Sequence, residues 1–163
     1  LHCFYGVDNI EKLIEFNPRF SHYKDFVAKL KKALDQPGVH WRGRVSQRQL
    51  YREWLTAGIW CYPTHFGETS CITSMECQSL GAIPIINPYW ALAENVKYGV
   101  WVTGDPQNNS LIQARYVDAI VRVSTSPPPF YHRQMMAECR ARWNWDSQAE
   151  SLIRLYGELV AVR

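Results

Sequence analysis

The residues with the most chemical promise lie in the run from Tyr62 to Pro84. Two carboxylates, Glu68 and Glu76, stand there with seven residues between them. Thr69, Ser70 and Cys71 put short side chains at the expected start of a helix. A helix N-terminus has amides without intrahelical partners and a partial positive charge, so it can hold a phosphate. A carboxylate accepts strongly from vicinal sugar hydroxyls. Each acid also has a plainer reading: Glu68 as a helix-start acid that complements the dipole, Glu76 as a surface helix residue. The combination is more specific than the pair: a strand, a Pro, a turn, two spaced Glu, then small-x-Gly-x-x-Pro at Ser79, Gly81 and Pro84 leading into an apolar strand.

Other residues are weaker candidates. His65 precedes the first Glu and could donate to a leaving group, although a loop His is more often incidental. Trp90, with Tyr89, follows Asn87-Pro88 and could stack on a sugar face or simply pack. Cys71 and Cys77 flank the helix start, where buried, inert thiols are the simpler reading. Arg42, Arg44 and Arg48 could meet phosphate or remain solvated.

An alternation of strand and helix must position these groups. Residues 1–5 form a short apolar run ending at Gly6, which predicts a strand and turn. Residues 26–34 carry apolar side chains at helical spacing, closed by Pro37-Gly38. Residues 39–41 read as a brief strand. Ser46 and Gln49 fit a capping box for a helix that Gly58 stops. Strands are expected at 59–62, 83–86 and 100–103, and helices at 70–80 and 111–123, with a helical turn at 92–96. A Ser/Thr/Pro loop at 124–129 precedes two final helices, about 131–143 and 147–160, the last capped by Asp146 or Ser147. Such a pattern predicts one α/β domain over residues 1–163, a parallel sheet flanked by helices, with ligands bound beyond the carboxyl ends of the strands.

Composition sets the outer limits. A chain of 163 residues, 47% apolar, can build a core as a single domain. A formal charge of +3 without a concentrated basic patch argues against a nucleic-acid binder. The five Cys show neither CxxC pairing nor zinc-like spacing, which suits reduced thiols inside a cell. No run approaches the ~20 apolar residues of a membrane span. The chain opens without Met and inside an apolar run, and so reads as a piece of something longer.

On these motifs the sequence resembles the C-terminal, donor-binding domain of retaining GT-B-fold glycosyltransferases, family 4-like (group 1). Glu68, Glu76, Gly81 and Pro84 match that family's motif in register. Gly6, Gly43-Arg44-Val45 with Leu50 and Tyr51, Glu94 with Tyr98-Gly99, and Trp143-Asn144-Trp145 match in order around it, so the resemblance covers nearly the whole chain.

The resemblance implies a Rossmann-like domain, the C-terminal half of a GT-B fold, that binds a nucleotide-diphosphate sugar. Glu68 would bind donor-sugar hydroxyls and act as the catalytic carboxylate, and Glu76 would bind the ribose. Thr69, Ser70, Cys71 and Ile72 would face diphosphate and sugar, and Arg44 and Val45 would border the base. His65 and Trp90 would be accessory. Transfer of a hexose with retention, without a metal or other cofactor, would follow.

Thr69-Ser70-Cys71 replaces the Gly-Phe-Gly stretch of many relatives. The family's diphosphate-gripping Arg and Lys, and its acceptor-binding N-terminal domain, would lie upstream of Leu1, so the chain by itself is expected to be inactive. Nucleotide sugar and that N-terminal domain are the expected partners, and nucleic acid is not. The expected location is the cytoplasm, with peripheral contact at the inner face of a membrane left open. The alternatives are a non-catalytic nucleotide-sugar-like or partner-binding module, or an epimerase or phosphorylase on the same architecture.

Overall fold

A computed structural model of the chain describes residues 1–4, 7–126 and 129–161. The expected turn at Gly6 and the middle of the loop at 124–129 lie outside the described residues. The chain falls into two compact units, residues 1–50 and 51–163. Each has its own small parallel sheet, where one sheet was expected.

In the first unit, β1 (His2–Cys3) pairs in parallel with β2 (His40–Trp41), His2 against His40. Between them lie α1 (Asp8–Phe16), a 3₁₀ helix (Pro18–Tyr23) and α2 (Lys24–Leu34). The sequence pattern above assigns no element to residues 7–23. A helix forms there because Ile10, Leu13 and Ile14 recur at helical spacing. Asn17 then separates the two helical pieces, its side chain accepting from the Arg19 amide at 3.1 Å ahead of Pro18. α3 (Gln47–Trp54) follows, its residues from Tyr51 onward belonging to the second unit, and the Gln49 amide donates to Ser46 Oγ at 3.3 Å, as the capping box predicts.

The second unit holds three parallel strands in the order β3 (Ile59–Tyr62), β4 (Ile83–Ile86), β5 (Val100–Trp101). The crossovers are α4 (Ile72–Leu80) and α5 (Ala91–Asn95). α6 (Ser110–Thr125), α7 (Pro129–Arg142) and α8 (Trp145–Ala161) complete it.

Every residue of the central strand β4 is buried, as befits a parallel strand covered on both faces. Burying Ile85 and Ile86 stabilises by roughly 1.5–3 kcal/mol each. A proline inside a central strand would ordinarily cost a ladder bond. Here Ile83 N–H donates toward β3, to Gly58 O at 3.0 Å, so alternation points the missing N–H of Pro84 toward β5. The β5 pairing begins only at Ile85, opposite Val100, so no ladder bond is lost.

The alternation of side chains sorts the two faces. Ile83 and Ile85 pack with Ile112, Tyr116, Ala119 and Met135 of α6 and α7, joined by Ile59 and Cys61. Ile86 packs with Leu92 and Val96 on the other face, joined by Trp60, Tyr62 and Cys71.

Three local expectations need correction. α4 starts at Ile72, not Ser70, because Cys71 takes a left-handed conformation (φ 49°, ψ 63°) that no helix can include. β5 ends at Trp101, two residues early. The last helix starts at Trp145, and its cap is Asn144, whose Oδ1 accepts from the Ser147 amide at 2.8 Å. The expected stop of α4 at Gly81 is present at φ 105°, where a β-carbon would also stand 3.0 Å from the His132 ring.

No residue of α8 is buried. Trp145, Leu152, Ile153, Tyr156, Leu159 and Val160 share one exposed face by helical spacing, away from Glu150, Arg154 and Glu158.

Candidate functional site

Strand alternation puts Trp60 and Tyr62 on one face of β3. Their rings stack with centroids 5.1 Å apart and planes 14° from parallel. They form one wall of a cavity of about 360 Å3 at the carboxyl end of the strand. Glu68, Thr69, Ser70 and Cys71 from the loop line the rest, with Ile72 and Thr73 from the first turn of α4. A ligand in this position meets amides of the first helical turn, which have no carbonyl one turn earlier in the helix to donate to.

The loop is tied down at several points. Asn87, fully buried just beyond β4, accepts from the Thr64 amide at 3.0 Å and from Tyr116 Oη at 3.1 Å, and its Nδ2 donates to the Thr64 carbonyl. The ends of β3 and β4 are thereby clamped together. Farther along, Ala91 N–H donates to the Glu68 carbonyl at 3.1 Å, and Asn95 Nδ2 donates to the Ser70 carbonyl. Asn95 is itself held, since Gln78 Nε2 donates to its carbonyl at 3.1 Å.

Two non-glycine residues with positive φ occur among the described residues, Cys71 and Trp90, both in this region. Such backbone is held only where its surroundings over-determine it, and it clusters at ligand sites. At Trp90 (φ 49°, ψ −126°) the conformation carries the indole over Gly67, although the side chain stays largely exposed.

Each of the two acids meets a tyrosine. Tyr62 Oη donates to Glu68 Oε1 at 2.7 Å. Tyr51 Oη donates to Glu76 Oε1. Burial first, and then the Glu68 carboxylate, push the Tyr62 phenol up to about 12, so it stays a proton donor at any physiological pH. Burial likewise raises the thiols: Cys71 and Cys77 upward, Cys61 to about 11. All five cysteines are free, Cys77 and Cys139 buried and the others half-buried.

The structure therefore brings Glu68, Thr69, Ser70, Cys71 and Ile72 to one cavity. Glu76 is half-buried one turn into α4, not two, because the helix starts late, and it lies beyond the cavity lining. Trp90 joins the loop through Gly67, and His65 is exposed on the same loop. Arg44, exposed, and Val45, half-buried, belong to the first unit, between β2 and α3.

Sequence reasoning missed Trp60, Tyr62, Asn87 and Asn95, and gave Tyr51 no role in the site. The two-residue spacing of Trp60 and Tyr62, in a strand running into the motif, was the available signal. The three contacts of Asn87 depend on tertiary structure and left none.

A wider depression of about 610 Å3 lies in the first unit, lined by Lys31, Lys32, Leu34, Asp35, Val39 and Trp41. Its lining comes from the C-terminal part of α2 and from residues in and just before β2. Among the described residues, no group of three or more His, Cys, Asp or Glu converges as a metal site requires. Nor is any helix among them long and apolar enough to cross a membrane.

Compared with known proteins, the chain matches no family model and no curated protein.

Proposed function

We propose that this chain is the donor-binding domain of a retaining glycosyltransferase, a Rossmann-like half of a GT-B fold that takes a nucleotide-diphosphate sugar. The observation that carries the reading is the cavity in which Glu68 meets the N-terminus of α4 at the carboxyl end of a parallel strand. A carboxylate beside helix amides suits a ligand with both vicinal hydroxyls and phosphates. The spacing of Glu68, Glu76, Gly81 and Pro84 supports the same reading.

In this proposal Glu68 binds the sugar and Glu76 the ribose. Thr69, Ser70, Cys71 and Ile72 face the diphosphate. The complete enzyme transfers a hexose with retention and without a metal, in the cytoplasm or at the inner face of a membrane. The apolar face of α8 is exposed, which suits contact with an acceptor-binding domain.

A second reading, a non-catalytic module on the same fold, is favoured by the cavity lining, which holds no Lys or Arg to stabilise a leaving diphosphate. Thermal melting with a panel of nucleoside diphosphates and their sugars tests the proposal, because a ligand specific to the folded state raises the melting temperature. Stabilisation by one diphosphate, increased by its attached sugar, is expected. If no member of the panel shifts melting, the donor-site reading fails. Robust transfer to an acceptor by the chain alone would refute its reading as a donor-binding domain only.

A further inference from the structure

We propose that Tyr62 is a positioning residue for Glu68, holding the carboxylate in the orientation that receives vicinal hydroxyls of a pyranose. The proposal rests on the donor-site reading above and names a residue which that reading does not use. The phenol reaches Glu68 Oε1 at 2.7 Å, within the wall of the cavity that Glu68 lines. Its ring has little freedom. Trp60 stacks on it, and both rings pack against Ile86, Leu92 and Val96. The Glu68 backbone is separately held through its carbonyl by the Ala91 amide at 3.1 Å.

An unrestrained Glu would have to freeze its rotamers when a sugar binds. With Oε1 engaged by a fixed donor, part of that ordering precedes binding, and Oε2 is presented in a defined direction. Burial and the neighbouring carboxylate keep the proton on the phenol at physiological pH, so the donor of this hydrogen bond is always present.

Tyr62→Phe keeps the ring and the stack and removes only the hydroxyl. Calorimetric titration with UDP, GDP, UDP-glucose and GDP-mannose reads the effect on parent, Tyr62→Phe, Glu68→Ala and the double variant. Tyr62→Phe should leave the affinity for the preferred diphosphate within about two-fold, and should cut the extra affinity contributed by the sugar roughly 5- to 10-fold, within the range for the net worth of one typical hydrogen bond. In the Glu68→Ala background it should change nothing further, since the two groups act as one.

An undiminished sugar increment in Tyr62→Phe overturns the proposal. So does equal weakening toward diphosphate and sugar nucleotide, or an additive loss in the double variant, because either marks a merely structural tyrosine. A parent that binds none of the four probes overturns the donor-site reading and this proposal with it. A parent that binds the sugar nucleotides while Tyr62→Phe does the same leaves the donor-site reading standing.

Discussion

The indole of Trp90 lies so close over Gly67 that a β-carbon at position 67 would stand 2.9 Å from its Cε2 and Nε1 atoms. The two loops that follow β3 and β4 are thus in contact at a point where a β-carbon would force the indole to shift. Gly67→Ala is expected to destabilise the chain by about 1–3 kcal/mol, as overpacking does, and to shift tryptophan emission. Trp90→Gly removes the obstruction and suits the positive φ. The double variant should therefore be more stable than the sum of the single losses predicts. Denaturant unfolding of the four proteins checks this; strict additivity would mean that the contact is not closed in solution.

Asn87 makes three hydrogen bonds in a fully buried position, so its loss should be costly. Asn87→Leu strands the Thr64 amide and carbonyl away from water, each unsatisfied group costing about 1–3 kcal/mol. Urea denaturation should show a lowered midpoint. Tyr116→Phe removes only one of those bonds and should cost about 1 kcal/mol. Equal effects from the two variants would show that Tyr116, not the loop clamp, is the important partner.

Glu68 and Glu76 should separate in binding experiments. Glu76→Ala is expected to weaken a nucleoside diphosphate itself, by roughly ten-fold for one charge-assisted contact. Glu68→Ala should spare the diphosphate and remove the increment contributed by the sugar. Because Glu76 lies one turn beyond the cavity lining and is held by Tyr51, Tyr51→Phe should share part of the Glu76 phenotype. Diphosphate binding unchanged in Glu76→Ala would end its assignment to the ribose.

Thiol chemistry should follow burial. The thiolate is the reactive form, and burial pushes Cys61 and Cys139 up to about 11. Mass-spectrometric labelling with iodoacetamide at pH 8 should leave Cys61, Cys77 and Cys139 unmodified until the chain unfolds. Stability should change with the same sign. A thiol at about 11 in the folded chain, against an ordinary 9.0, holds its proton more tightly when folded. Its contribution is therefore full below pH 9.0 and is lost as pH rises through about 11. Tyr62 extends that alkaline loss toward pH 12. A melting temperature that rises between pH 9.0 and 11 would contradict this assignment.

The exposed face of α8 should make the isolated chain self-associate. Sedimentation velocity is expected to show concentration-dependent association that Ile153→Glu with Val160→Glu abolishes. Both sites are 72% exposed, so the substitutions should leave melting within about 0.5 kcal/mol of the parent. A monomeric parent at all concentrations would show that the face tolerates water.

How much of this was legible beforehand depended on the range of the forces involved. β3 and β4 were read at their observed bounds, because a short apolar run between turn residues has few other solutions. Ser46 and Gly81 announced helix boundaries through local backbone chemistry. The same local logic marked Glu68 and the small residues after it as one cluster. It failed at Asn144, whose capping side chain, two residues upstream of Asp146, competed with Asp146 and Ser147, and at Cys71, whose left-handed backbone carries no sequence signal in a residue other than glycine or asparagine. The division into two small sheets, the Tyr62 hydroxyl on Glu68, the Asn87 clamp and the Trp90 contact with Gly67 were decided only by tertiary structure. Each joins groups from separate segments, and hydrogen-bond geometry and close packing between segments leave no periodicity along the chain.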